Sequence, residues 1–248
     1  MIVHLSLALI FLAGGLLHGV TGFGALIIMV PMLALFMDMS AAIPLGVLCG
    51  CALQIYTALI YRSQVDRKPL FHVLLASLPG VWLGSSLLLH MPDVWLKAAL
   101  GLLVICHVLW QLCGKLSPPA RPPSTAWACA AGFVAGTFGG AFGIIGPPIV
   151  VYATRTGWSP DAIRGFLGIL FALLFGFIAI LQHLRGMVGV EVWQLAVWTI
   201  PISLVACMIS RRMTARMVSA QYMRLIFLLL FLMGLILCWP AVRMLFGD

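Results

Sequence analysis

Apolar runs of about 20 residues follow one another along this chain with almost nothing between them, and few folds accept such a pattern. They lie near residues 2–20, 24–37, 43–61, 70–90, 94–114, 125–140, 144–154, 162–183, 190–209 and 222–245. A run of this length crosses a hydrocarbon core of about 30 Å as one helix. Only 8% of the 248 residues are charged, against roughly a quarter in a soluble domain. The sequence therefore predicts an all-α, polytopic membrane protein. No stretch is left over for a soluble catalytic domain.

Two of the runs are interrupted by glycine. The first is GGLLHGVTGFGALIIMVP, Gly14 to Pro31, and the second is GFVAGTFGGAFGIIGPP, Gly132 to Pro148. Sliding the first copy by 117 places Gly15 on Gly132, Gly19 on Gly136, Gly22 on Gly139 and Pro31 on Pro148. A broken helix leaves backbone N–H groups without intrahelical partners, and in hydrocarbon these survive only where they line a cavity or pack on protein. Paired interruptions in two halves of a chain are the sequence pointer to a transporter's binding site. The 31 residues 124–154 would span about 46 Å as one helix, too long for one crossing and too short for two. A re-entrant hairpin or a pair of half-helices fits.

The longest polar break, KLSPPARPPS at 115–124, contains four prolines and reads as a semi-rigid linker. It divides the chain into a first transmembrane repeat, 1–114, and a second, 125–248. AAIPLGV at 41–47 aligns with DAIRGFL at 161–167, which sets Pro44 opposite Arg164. If each glycine-rich pair returns the chain to its starting side, 11 Lys and Arg share one face and 3 the other. If each pair is one crossing, the split is 7 against 7. The positive-inside rule favours the first arrangement. Each half then crosses an odd number of times, so the two repeats of four to five segments have inverted topology, with the proline linker in the cytoplasm.

The net charge of +8 is scattered among membrane segments and marks topology rather than a nucleic-acid surface. The seven cysteines all lie in apolar runs and form no disulfide framework. No Walker motif and no metal-ligand spacing is present, so no cofactor, metal or enzyme activity is expected.

The two glycine motifs, HGVTGFG at 18–24, AGTFGGAFGIIGPP at 135–148 and AIRG at 162–165 resemble the TauE/SafE sulfite exporter family, also called the sulfonate uptake permease family. The resemblance covers almost the whole chain. It implies transport of sulfite, sulfonates or related small organic anions across the cytoplasmic (inner) membrane, and the first copy departs from the second at Phe23 and Leu26.

Read from the residues, Gly19, Gly22, Gly24, Gly136, Gly139, Gly140 and Gly143 are candidates to free amide donors for an anion at half-helix termini. Close helix packing is the alternative use, since Gly15 with Gly19 and Gly136 with Gly140 are also small-xxx-small pairs. Thr21 and Thr137 stand beside them, as hydroxyl donors to the anion or bonded back to their own helix. His18 is a candidate donor or carrier of a coupling proton, or a histidine bonded to a helix carbonyl. Gln54 is a candidate path-lining amide. Arg164 is a candidate ligand or gate, because a guanidinium holds a sulfonate through two parallel bonds. Pro31, Pro147 and Pro148 are candidate hinges. Tyr61 and the tryptophans at segment ends read as interfacial anchors. All six Asp and Glu fall at segment ends or in loops, which argues against a carboxylate-based cation carrier.

The expected activity is secondary transport of a small anion by alternating access, with protons one candidate coupling ion and a homodimer one candidate assembly. An anion channel and a non-transporting membrane assembly partner are the alternatives.

Overall fold

The computed structural model describes residues 2–61, 67–113, 124–212 and 220–246; the proline-rich linker of 115–124 falls, apart from Ser124, outside them. Among the described residues ten helices follow in order: α1 (Ile2–Thr21), α2 (Ala25–Ala34), α3 (Met39–Tyr61), α4 (Arg67–His90), α5 (Asp93–Cys113), α6 (Thr125–Phe142), α7 (Gly146–Thr154), α8 (Pro160–Leu184), α9 (Val190–Arg212) and α10 (Ala220–Phe246). Eight of them are long and apolar enough to cross a membrane; α2 and α7 are not. The protein is thus a multi-pass α-helical membrane protein, as its hydropathy requires.

Local chemistry sets the helix starts. Ser124 caps α6 by accepting from the Trp127 amide, and Ser159 caps α8 by accepting from the Ala162 amide. Pro160 then opens α8 at a position where a missing N–H costs nothing.

Both glycine-rich segments are broken, at 22–24 and at 143–145. Gly22 (φ 79°), Gly24 (φ 90°) and Gly143 (φ 69°) adopt the left-handed backbone that a side chain resists. The limbs are unequal, which refines the expectation of paired half-helices. The first limbs, α1 and α6, have 20 and 18 residues, lengths of about 30 and 27 Å as helix. The second limbs, α2 and α7, have 10 and 9 residues and reach only about half as far.

The helices pack as reciprocal pairs. α1 lies on α9 and α6 lies on α4, each pair running parallel, while α3 on α8 and α5 on α10 run antiparallel. In the parallel pairs glycines let backbones touch. A Cβ on Gly15 would strike the Ser203 carbonyl, and one on Gly136 the Ser77 carbonyl. Gly19 meets the Cys207 carbonyl as Gly140 meets that of Val81. Read so, Gly15 matches Gly136 and Gly19 matches Gly140, an offset of 121, although Gly132 repeats the same contact on the Val73 carbonyl one turn earlier. The same offset carries Gly22 onto Gly143, the two positive-φ residues whose amides cap His18 and Gly139 carbonyls at 2.7 and 2.9 Å. The offset of 117 read from the sequence is one helical turn short. Glycines spaced by four match equally well at either register, in sequence and in packing, and the left-handed backbone at Gly22 and Gly143 is what favours 121.

Candidate functional site

The two breaks meet. A small chamber of ≈ 20 Å³ is lined by Gly24 to Ile27 from the first, by Gly143 to Gly146 from the second, and by His18, Gln54, Phe171 and Phe175. A Cβ on Gly143 would come within 3.3 Å of Leu26 Cδ2, so the tip of one broken segment seats on the short limb of the other. The chamber lies beside Gly50 and Phe175, in the middle stretches of α3 and α8. Its volume suits about one water.

On the other side of His18 lies a separate vestibule of ≈ 230 Å³. Its walls include Gly19 and Gly22 from α1 and its break, Tyr56, Thr57 and Tyr61 from α3, Arg164 from α8, and Ser210 and Arg211 from α9. The Arg164 and Arg211 guanidiniums both stand over the Tyr61 ring, at 5.9 and 5.8 Å from its centroid. Arg211 also donates to the Tyr56 hydroxyl at 3.4 Å, and Arg164 pairs with Asp161 at 3.1 Å. No carboxylate is among the described lining residues. Two guanidiniums over one aromatic ring gather positive charge and N–H donors of the kind that pair with oxyanions.

His18 lines both spaces. It is 1% exposed, and its Nε2 lies 3.0 Å from Thr57 Oγ1. Thr57 spends its one hydroxyl proton on the Leu53 carbonyl at 3.1 Å. With the Thr57 proton on that carbonyl, Nε2 is the donor of the pair and Nδ1 the acceptor. Among the described residues Nδ1 has no partner, and neither has Gln54 Oε1, both buried.

The structure divides the sequence candidates. His18, Gly19, Gly22, Gly24, Gln54, Gly143 and Arg164 line the chamber or the vestibule. Gly136, Gly140 and Thr137 do not: they lie within α6 on the face packed against α4, and their amides belong to the helix ladder. Thr137 bonds the Phe133 carbonyl at 3.0 Å. Thr21 likewise turns back on its own segment, donating to the Leu17 carbonyl at 2.9 Å and to that of Phe23. Gly139 supplies the carbonyl that caps the α6 break and is wedged against Ile145 and Ile178.

The prolines also separate. Pro31 lies inside α2, whereas Pro147 and Pro148 stand in the first turn of α7, where proline is preorganised for helix. There they subtract two amide donors from the α7 start, which leaves α2 the better donor end. Arg211, Tyr56, Thr57 and Ser210 were missed as site residues, and Tyr61, read as an interfacial anchor, also lines the vestibule. Arg211 ends α9, nearly 50 residues after Arg164 and 150 after Tyr61, so no local motif ties them. The one available signal was a pair of arginines closing an apolar helix.

The family model for the sulfite exporter TauE/SafE matches residues 7–237. The chain belongs to the TauE/SafE family. It is accordingly a membrane transport protein, and both breaks and every vestibule residue fall within the matched span. Comparison with curated proteins and with solved structures gives no match.

Proposed function

We propose that this TauE/SafE member is a secondary carrier of small oxyanions, sulfite or an organic sulfonate, working by alternating access across the cytoplasmic membrane. One observation carries the reading: two broken helices from opposite halves meet at a small chamber, and the vestibule that shares His18 with it is walled by two guanidiniums and no carboxylate among the described residues.

Antiparallel contact between α3 and α8, and between α5 and α10, supports two inverted repeats of five helices each. In such a pair one repeat rocks against the other around a fixed central site. The vestibule sits where α3 and α9 end, beside the arginines that the charge count assigns to the cytoplasm. The conformation is then inward-facing. An anion would first meet Arg211 and Arg164, exchange water for their N–H groups and for the Tyr56 hydroxyl, which accepts from Arg211 and keeps its own proton to donate, and settle against the amides that open α2.

Purified full-length protein in liposomes tests this. Preloading with sulfite, thiosulfate, taurine, sulfoacetate or methanesulfonate should drive counterflow of at least one labelled anion. Counterflow with none of them, or unitary currents far above a carrier's turnover, would rule the reading out.

A further inference from the structure

His18 stands at the junction of chamber and vestibule with a bare, buried Nδ1, and the neighbouring unpartnered atom, Gln54 Oε1, is also an acceptor. A buried acceptor without a donor costs roughly 1–3 kcal/mol, so this junction is built to receive hydrogen. We propose that His18 is a proton-binding site: its Nδ1 takes one proton as an anion settles beside Arg164 and Arg211, and the two cross the membrane together. This rests on the carrier reading and adds its coupling ion.

The groups around His18 link proton to anion. From α3 it faces Tyr56 and Tyr61, from α9 Cys207 and Arg211, and from α8 Arg164, whose carboxylate partner Asp161 lies away from the lining; the lining residues of α2 and α7 include no charged group. A second positive charge at His18 is opposed by both guanidiniums while the vestibule is empty of anion. An anion between them offsets one of the two positive charges, and the imidazolium is then opposed less. By linkage the proton tightens the anion by the same factor. The step is a transfer from hydronium to the Nδ1 lone pair: an N–H bond forms, an O–H bond breaks, and water is left. It reverses on the other side, where the anion departs.

The test uses methanesulfonate, a strong-acid anion that carries no proton itself, with full-length protein in liposomes holding a pH-sensitive dye. About one proton should accompany each methanesulfonate in the wild type, and an acidic exterior should drive accumulation. In His18→Gln the residual methanesulfonate flux, whatever its rate, should carry no protons. Gly189→Ala, at an open position outside the chamber and the vestibule, keeps the imidazole and should keep the ratio. A wild type that moves methanesulfonate without protons, or His18→Gln that still moves one per anion, overturns the proposal while leaving the carrier standing. Absence of all anion counterflow removes both.

Discussion

Replacing Arg211 with glutamine tests the electrostatics of the vestibule most directly. Arg211 stands 5.8 Å from the Tyr61 centroid, and Arg164 stands 5.9 Å from it. An anion lodged beside that ring is about 6 Å from each charge. At an effective dielectric of about 20, one such pair is worth about 3 kcal/mol. Arg211 is exposed, and at physiological salt the Debye length is about 8 Å, so screening roughly halves the figure. What remains, about 1.4 kcal/mol, is a tenfold weakening. Arg164 shares its charge with Asp161, so Arg164→Gln should cost less, about threefold. Initial rates of labelled-anion uptake into liposomes, or direct binding titration, would give the change in KM or Kd. Arg211→Lys keeps the charge and should stay within about threefold of wild type, and the Gln variant's deficit should shrink in about 1 M salt. Equal losses for Lys and Gln, or a Gln deficit independent of salt, would show that the field of the guanidinium is not what attracts the cargo.

Three further outcomes follow from the packing. Gly136→Ala drives a methyl into the Ser77 carbonyl and should cost about 1–3 kcal/mol, read as a lower melting temperature in detergent; Gly189→Ala, with nothing within 4 Å of its Cβ, is the control that should not move. Gly176 also has open space around it inside α8, so Gly176→Ala should stabilise by up to about 1 kcal/mol; a loss of stability there would mean the space is occupied. Tyr61→Leu removes the ring beneath both guanidiniums, worth about 0.5–1 kcal/mol for each, and should weaken anion binding several-fold while Tyr61→Phe does not.

Much of the architecture was legible in the residues alone, because hydropathy and helix-breaking are local properties. The ten apolar segments match the ten helices to within a few residues, and the breaks fall inside the two glycine-rich stretches. The site was legible only in part. His18, Gln54 and Arg164 stood out because a polar residue in hydrocarbon needs a reason. The use of each glycine did not stand out. Gly140 and Gly143 are three residues apart in one motif, yet the first is pressed on α4 and the second, at φ 69°, turns the chain.

The sequence by itself determined that this chain lives in a bilayer, where its helices can fail, and, through its motifs, the transport family it resembles. Each of these follows from residues within one helix length of each other. The tertiary structure decided which glycines serve contact and which serve the break, moved the register of the two halves by one turn, and brought Arg211 to Tyr61 and Arg164. The physical reason is that lipid leaves helices apolar on every side. No polar stripe then distinguishes the outward face from the inward one, and only interlocking of backbones at small residues fixes which side chains meet.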